Sequence, residues 1–478
     1  MNKKIGYLPK EERKKILLLT DDLRLHSGVA NIAREMVINT CHRYNWVQLA
    51  GAIKHPETGK RLDLSQDTSN KAGIEDASVI IYPTDGYGNP VLLRQIIELE
   101  NPDAIFLITD PRYFTWVFEM ENELRKKLPI VYLNIWDNFP SPQYNEEFYE
   151  SCDALFGISK QTTLINRITL GDKADNKIIK YIPHGLDNKT FLPVEENDNE
   201  LKLFKNKLLN NKSYDFILLF NSRNVRRKNI SDTILAWKVF TDSLPREKAE
   251  KCLLLLHTNP IDENGTDLPA VIEYFCEEGK NNVLISAQRL DSKHMNYLYN
   301  IADGTILLST NEGWGLSLTE SLLTGTPFIA NVTGGMQDQM RFVDNEGNWF
   351  TPSSEIPSNH RGTFKKHGSW ALPVFPSNLS LVGSVPTPYI FDDRCSFEDA
   401  ASQIEKLYKM SKEQRSQIGE EGRQWALSQE AGFTSEVMSQ RIIEGVDELF
   451  EKWQPRESYE FLSAEDFKPR KLKHNLIY

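Results

Sequence analysis

A chain of 478 residues is too long for one hydrophobic core, so two or three domains are expected. With 40% hydrophobic and 26% charged residues and a net charge of −11, it excludes a nucleic-acid footprint spread over the whole surface, though not a local basic patch. The five cysteines (Cys41, Cys152, Cys252, Cys276, Cys395) are scattered without ligand spacing and point to reduced side chains in a cytoplasmic protein, not to disulfides or a metal site.

The basic N-terminus runs into the apolar stretch Ile16 to Leu19, which Asp21 and Asp22 stop. That is too short for a signal peptide and reads as a first buried strand. No stretch approaches the ~18 apolar residues of a membrane span, which leaves only peripheral membrane contact open. Short apolar runs then alternate with helical patterns. Lys15–Thr20, Val79–Tyr82, Ala104–Thr109, Ile130–Ile135, Ala154–Ile158 and Ile178–Ile182 read as strands of a first parallel sheet. Phe216–Asn221, Cys252–His257, Val283–Ser286, Thr305–Leu308 and Phe328–Asn331 read as a second. Two βαβ series in tandem predict an α/β protein of two doubly wound Rossmann-like domains facing across a cleft. The expected boundaries are 1–194 and 213–430, with a polar linker at 195–212 and a Pro-, Ser- and Gly-rich insertion at about 345–394. Helical patterns return at Ser396–Met410, Ser411–Ser428 and Thr434–Trp453. A C-terminal helix at 431–455 is expected to return to the N-terminal domain, followed by a charged tail at 456–478.

The most informative stretch is Ser309 to Pro327, which reads strand, loop, short helix. It carries Glu312 beside Gly313 and Gly315, then Glu320 within the helix, at the carboxyl end of a parallel strand where open α/β sheets bind ligands. Ser317 and Glu320 have capping-box spacing, which alone would account for Glu320. Glu312 has no helix to cap. Upstream, Phe216–Asn221 runs into Arg223, Arg226, Arg227 and Lys228 just before a helix with apolar Ile230, Ile234 and Trp237, which makes an anion site. Its bland alternative is a solvated basic loop. Weaker phosphate-loop signals are Gly28, after the first strand, and the pair Gly334 and Gly335. There is no Walker-type loop, His-x-x-x-His or strand-end Asp-x-Asp, so Arg223, Lys228 and helix dipoles would have to carry diphosphate charge without a metal.

In these motifs the chain resembles the retaining glycosyltransferases of family 4, which have the GT-B fold and use nucleotide-sugar donors. The family's Glu-x7-Glu signature stands as Glu312 and Glu320, its Arg-x4-Lys pair as Arg223 and Lys228, and its interdomain motif as Ile182 to Asp187 with His184 at its centre. The resemblance implies that Arg223 and Lys228 grip the donor diphosphate, Glu312 the sugar hydroxyls and Glu320 the ribose. It further implies phosphate contacts at the backbone of Gly315 and Leu316, a donor contact at Gly313, and a base-binding loop at Gln288, Arg289 and Leu290. Same-face attack, with the leaving phosphate taking the acceptor proton, needs electrostatic stabilisation more than a general base. Where many members carry a histidine near the reacting sugar, this chain offers Asp137, equally readable as a turn or cap aspartate.

The expected activity is therefore metal-independent, retaining transfer of a hexose-type sugar from a UDP- or GDP-linked donor to a hydroxyl of a glycan, lipid-linked sugar or other acceptor, with no cofactor. Three alternatives stay open: a nucleotide-sugar-binding protein without transfer, a phosphorylase or sugar-phosphate synthase on the same scaffold, and transfer to a modified base of viral DNA. The basic residues Lys468, Arg470, Lys471 and Lys473 are compatible with the last. The sequence leaves the oligomeric state open.

Overall fold

A computed structural model describes residues 6–52, 56–354 and 358–457; the four basic tail residues lie outside them. The first sheet comprises β1 (Lys14–Asp21), β2 (Tyr44–Gly51), β3 (Leu62–Asp63), β4 (Val79–Pro83), β5 (Ala104–Ile108), β6 (Ile130–Asn134), β7 (Ala154–Gly157) and β8 (Ile178–Tyr181). The second comprises β9 (Phe216–Asn221), β10 (Cys252–His257), β11 (Val283–Ser286), β12 (Gly304–Leu307), β13 (Phe328–Asn331) and β14 (Ala371–Val374). A hairpin, β15 (Asn378–Ser384) and β16 (Thr387–Arg394), stands apart. The helices that matter for the site are α1 (Gly28–Thr40), α2 (Lys160–Leu170), α3 (Ile230–Asp242), α4 (Leu316–Leu323) and α5 (Ser435–Lys452).

The spatial orders are β3-β4-β2-β1-β5-β6-β7-β8 and β11-β10-β9-β12-β13-β14, parallel throughout except where β3 meets β4. Parallel strands are covered on both faces, so they need continuous apolar runs. In β1, Ile16 and Leu18 enter one core while Leu17 and Leu19 enter the other, all fully buried. Each order reverses direction once: between β1 and β5 in the first sheet and between β9 and β12 in the second. Loops diverge at those two points and leave a crevice in each domain.

Three expectations change. Strand β2 has no counterpart in the sequence reading because Asn45 and Gln48 interrupt its apolar run. Both side chains are buried and bonded, Gln48 Nε2 donating to the Asp21 carbonyl at 2.7 Å and Asn45 Nδ2 to the Lys10 carbonyl at 2.9 Å. The 195–212 segment is not a plain linker. It holds a helix, Asn199–Leu208, capped by Asp198 and buried through Leu201 and Phe204. The 345–394 segment is not an insertion outside the sheet either, since it supplies the sixth strand of the second sheet and the hairpin.

The domains share one core, in which Phe156 and Leu186 join Trp314, Phe433 and Met438. At the crossing, the Leu186 N–H donates to the Phe433 carbonyl at 3.1 Å and the Ser435 N–H to the Leu186 carbonyl at 2.9 Å. A Cβ on Gly185 would stand 2.1 Å from the Thr434 carbonyl oxygen, so only glycine fits there. Helix α5 then packs on the first domain, where Asp447 accepts from the Tyr44 hydroxyl at 2.7 Å and pairs with Arg43 at 2.8 Å.

Candidate functional site

The switch point of the second sheet brings the loop after β9 beside the loop after β12. The two are laced together: the Thr310 N–H donates to the Arg227 carbonyl at 2.8 Å, and Asn229 Nδ2 to the Leu308 carbonyl at 3.1 Å. Arg227 Nη1 donates to the Asn311 carbonyl at 2.8 Å and to Glu312 Oε2 at 2.9 Å, and Lys228 Nζ pairs with the same oxygen. Glu312 and Lys228 are buried. Burial pushes the Glu312 carboxyl up, but the charges of Arg227 and Lys228 outweigh it and hold the group at about 2. Burial drives the Lys228 ammonium the other way, and Glu312 only partly restores it.

Asp137, just past β6 in the other domain, faces this cluster. Burial raises its carboxyl to about 6, with Arg227 pulling against the rise and Glu312 adding to it. Thus Asp137, Glu312 and Lys228 gather in one place, and Arg227 completes the group. Sequence reasoning counts Arg227 in the basic loop but gives it no role of its own; its position directly before Lys228 is the available signal. Arg223 lies elsewhere: its side chain is 62% exposed and paired to Asp262 at 2.9 Å.

The glycines fix backbone approach. A Cβ on Gly313 would sit 2.8 Å from the Ile135 carbonyl oxygen of the first domain, and one on Gly28 would meet Leu316 at 3.3 Å. Gly28 and Leu316 therefore bring the starts of α1 and α4 together across the cleft. Gly315 caps α4 in the left-handed region at φ +87°. Gly334 and Gly335 back the Glu312 loop, and the Gly335 N–H, expected to be bare, donates to the Glu312 carbonyl at 2.9 Å.

Glu320 is not part of a capping box, because α4 begins one residue before Ser317 and its cap makes no side-chain bond. Its carboxylate instead accepts from the Tyr299 hydroxyl and from Asn221 Nδ2 at 3.2 Å. Burial lifts it to about 7 despite both donors. Sequence reasoning gives Asn221 no role; a polar residue ending a central strand is the signal that points to it.

His184 sits behind the loop, buried, its ring 6.4 Å from Trp314 and edge-on to it. Burial drives its imidazolium down to about 3, so the ring is neutral. Gln288, Arg289 and Leu290 line a cavity of about 460 Å³ together with Phe204, Lys207 and His294. Arg289 also faces His26 of the first domain, whose imidazolium is disfavoured by burial and then by that guanidinium.

The hairpin reaches both lips of the cleft. Toward the first domain, the Phe391 N–H donates to the Phe139 carbonyl at 2.7 Å, Asn138 Nδ2 to the Phe391 carbonyl at 3.0 Å, and the Tyr144 hydroxyl to the Tyr389 carbonyl at 2.9 Å. Toward the second, Asn311 Nδ2 donates to Asp392 at 2.7 Å and the Asp393 N–H to the Thr310 carbonyl at 2.9 Å. Asn138 adjoins Asp137 and Asn311 adjoins Glu312. No motif in the sequence announced this brace.

Residues 202–356 match the family model described as glycosyl transferases group 1. No curated protein matches the chain. Among solved structures, it is similar to HepE of Anabaena in complex with UDP and glucose, at 14% identity over 91% of this chain and 100% of that one, TM-score 0.61. It is also similar to sucrose-phosphate synthase of Thermosynechococcus elongatus, at 15% identity over 92% and 100%, TM-score 0.63. A third is a trehalose-6-phosphate structure from E. coli bound with UDP-2-fluoro glucose, at 11% identity over 93% and 100%, TM-score 0.61. The likeness shows the fold, two Rossmann-like domains of the GT-B type. Among the described residues no helix is long and apolar enough to cross a membrane.

Proposed function

We propose that this chain, whose residues 202–356 belong to the glycosyl transferases group 1 family and whose fold is GT-B, is a metal-independent retaining glycosyltransferase. It moves a hexose from a nucleoside diphosphate sugar to an acceptor hydroxyl. The observation that carries this reading is the Arg227–Lys228–Glu312 cluster at a switch point, faced by Asp137 from the other domain.

Two cations held by one carboxylate form a site that exchanges one anion for another. An incoming diphosphate takes Lys228 and Arg227, and Arg223 swings to it from the exposed pair with Asp262. Glu312, released, accepts hydrogen bonds from the donor sugar's hydroxyls, and Asp137 accepts from the opposite lip. Glu320 takes the ribose hydroxyls. The acceptor oxygen attacks the anomeric carbon on the face the leaving group departs from. The bond from anomeric carbon to phosphate oxygen breaks, and that oxygen takes the acceptor's proton. Cations fixed at the departing phosphate stabilise the charge as it develops, which removes the need for a dedicated base.

The UDP bound by two of the similar structures favours a UDP-hexose donor. Thermal denaturation of the protein with UDP-glucose, GDP-mannose and ADP-glucose tests it, since a donor at a hundredfold excess over Kd stabilises by about 2.7 kcal/mol. Proton NMR of the product then reads the anomer, which should match the donor's. Inversion would overturn the mechanism. Donor binding without hydrolysis or transfer would leave a binding protein, and failure of all three donors to bind would overturn the reading.

A further inference from the structure

The first sheet has a switch point of its own, between β1 and β5, and donor chemistry leaves most of it unused. The chain leaves β5 under strain: Thr109, a β-branched residue, takes φ +117°, and its carbonyl accepts from the Tyr132 hydroxyl at 2.8 Å. The turn delivers Asp110, Arg112 and Tyr113. The Tyr113 ring stacks on Tyr87, with centroids 4.5 Å and planes 24° apart, yet remains 53% exposed. Tyr87 is fixed from behind, its hydroxyl donating to Asp21 at 2.8 Å, and Asp21 also accepts from Ser27, the residue before Gly28. On the other side, Arg112 lies 5.9 Å over the Trp136 ring, next in sequence to Asp137. The exposed ring is therefore tied to the Gly28 turn through Asp21 and to the end of β6 through Arg112.

Resting on the transfer reading above, we propose that Tyr113 is the platform for the acceptor, and that the acceptor is an uncharged sugar ring rather than a sugar phosphate or a nucleic acid. A tyrosine backed by a second tyrosine presents a rigid apolar face with little entropy left to lose, which suits the C–H face of a pyranose. The arginines on this lip are already engaged. Arg112 grips Asp110 through Nε at 2.7 Å and through its terminal nitrogen. Arg24 holds Asp22 and Glu57, each at 2.7 Å. Arg34 is spent on the carbonyls of Leu23 and Leu25 at 3.0 and 3.3 Å. A phosphate would have to displace a carboxylate from Arg24 or Arg112, or two carbonyls from Arg34. A hydroxyl can donate to the carboxylate and accept from the guanidinium without breaking the pair.

The full chain is tested with UDP-glucose by measuring UDP release in the presence of methyl α-glucoside, maltose, glucose 6-phosphate or a duplex carrying 5-hydroxymethylcytosine. Neutral glycosides should raise release above donor hydrolysis. Tyr113→Ala should raise their KM about tenfold, while Tyr113→Phe keeps it near wild type, because stacking rather than the hydroxyl is at stake. Donor KM, background hydrolysis and the donor-induced thermal shift should be unchanged in both variants, which shows that each is folded. Stimulation by the phosphosugar or the duplex but not by neutral glycosides, or by none of the four, overturns the proposed acceptor class. An unchanged acceptor KM in Tyr113→Ala overturns the platform while leaving donor chemistry standing. Loss of donor binding in the wild type would instead strike the transfer reading itself.

Discussion

The two switch points of this protein are built on opposite plans. In the second domain, two cations converge on a single carboxylate, with Asp137 facing them from the opposite lip. In the first, Arg24 and Arg112 are paired with carboxylates and Arg34 with backbone carbonyls, and the exposed feature is an aromatic face. The same topology, a reversal of strand order, has thus been furnished once for charge and once for shape. On the proposed transfer reading, the difference teaches where the electrostatic load falls: on the departing diphosphate, and hardly at all on the attacking side.

The harshest way to break that contrast is to remove charge from the second point. Arg223→Ala should lower kcat by about 10²-fold and Lys228→Ala by about 10²–10³-fold, as when a fixed donor to a developing oxyanion is lost. The variants should differ in stability. Arg223 is exposed and its loss should leave the thermal midpoint in place. Lys228 is buried against Glu312, so its loss should also lower the midpoint. Steady-state kinetics beside thermal denaturation separates the two effects. A near-normal rate for Arg223→Ala would mean that Arg223 stays on Asp262 throughout turnover in the unsubstituted protein and that Arg227 carries the role.

Glu320 sharpens the comparison from within the charged point. Its folded pKa of about 7 lies above the ordinary 4.5, so between those values the folded state holds more protons than the unfolded one. Stability without donor should therefore fall as pH rises from about 4.5 to about 7, with Asp137, at about 6, adding the same sign. Glu320→Gln should flatten part of that slope and raise the midpoint at pH 8 by a few degrees. Donor affinity should move oppositely, rising through pH 7 as the carboxylate forms to accept ribose hydroxyls, and the variant should lose that rise. A slope unchanged by the substitution would mean that Glu320 is already ionised in the folded protein.

The charged point was legible in the sequence and the neutral one was not, for a physical reason. Cations packed between a buried strand and a helix start, and a glutamate with nothing to cap, are local anomalies visible at fixed spacing. The Tyr87–Tyr113 stack joins two loops far apart in the chain, each of which looks like an ordinary turn. Strand β2 was hidden because buried Asn45 and Gln48 read as surface until their partners are known. The 345–394 segment lacked periodicity because one strand is short and the other two face solvent or the cleft. Glu320 was misread through Ser317: the spacing suits a cap, but α4 starts too early for it.

The hairpin offers the mildest and most discriminating break, because it holds both points with separate hands. Asn138 Nδ2 donates to the Phe391 carbonyl at 3.0 Å beside Asp137, whereas Asp392 accepts from Asn311 at 2.7 Å beside Glu312. Each bond is worth about 1 kcal/mol, enough to shift a loop's population without unfolding it. Asn138→Ala should therefore raise acceptor KM by roughly fivefold with donor KM unchanged. Asp392→Ala should do the reverse, loosening the Glu312 loop and raising donor KM by a similar factor. Measuring both constants for both variants decides the matter, since a brace that merely stabilised the fold would move all four together. Crossed effects, with Asn138 governing the donor, would mean that the hairpin couples the two points into one unit, and the contrast between them would then describe two faces of a single site.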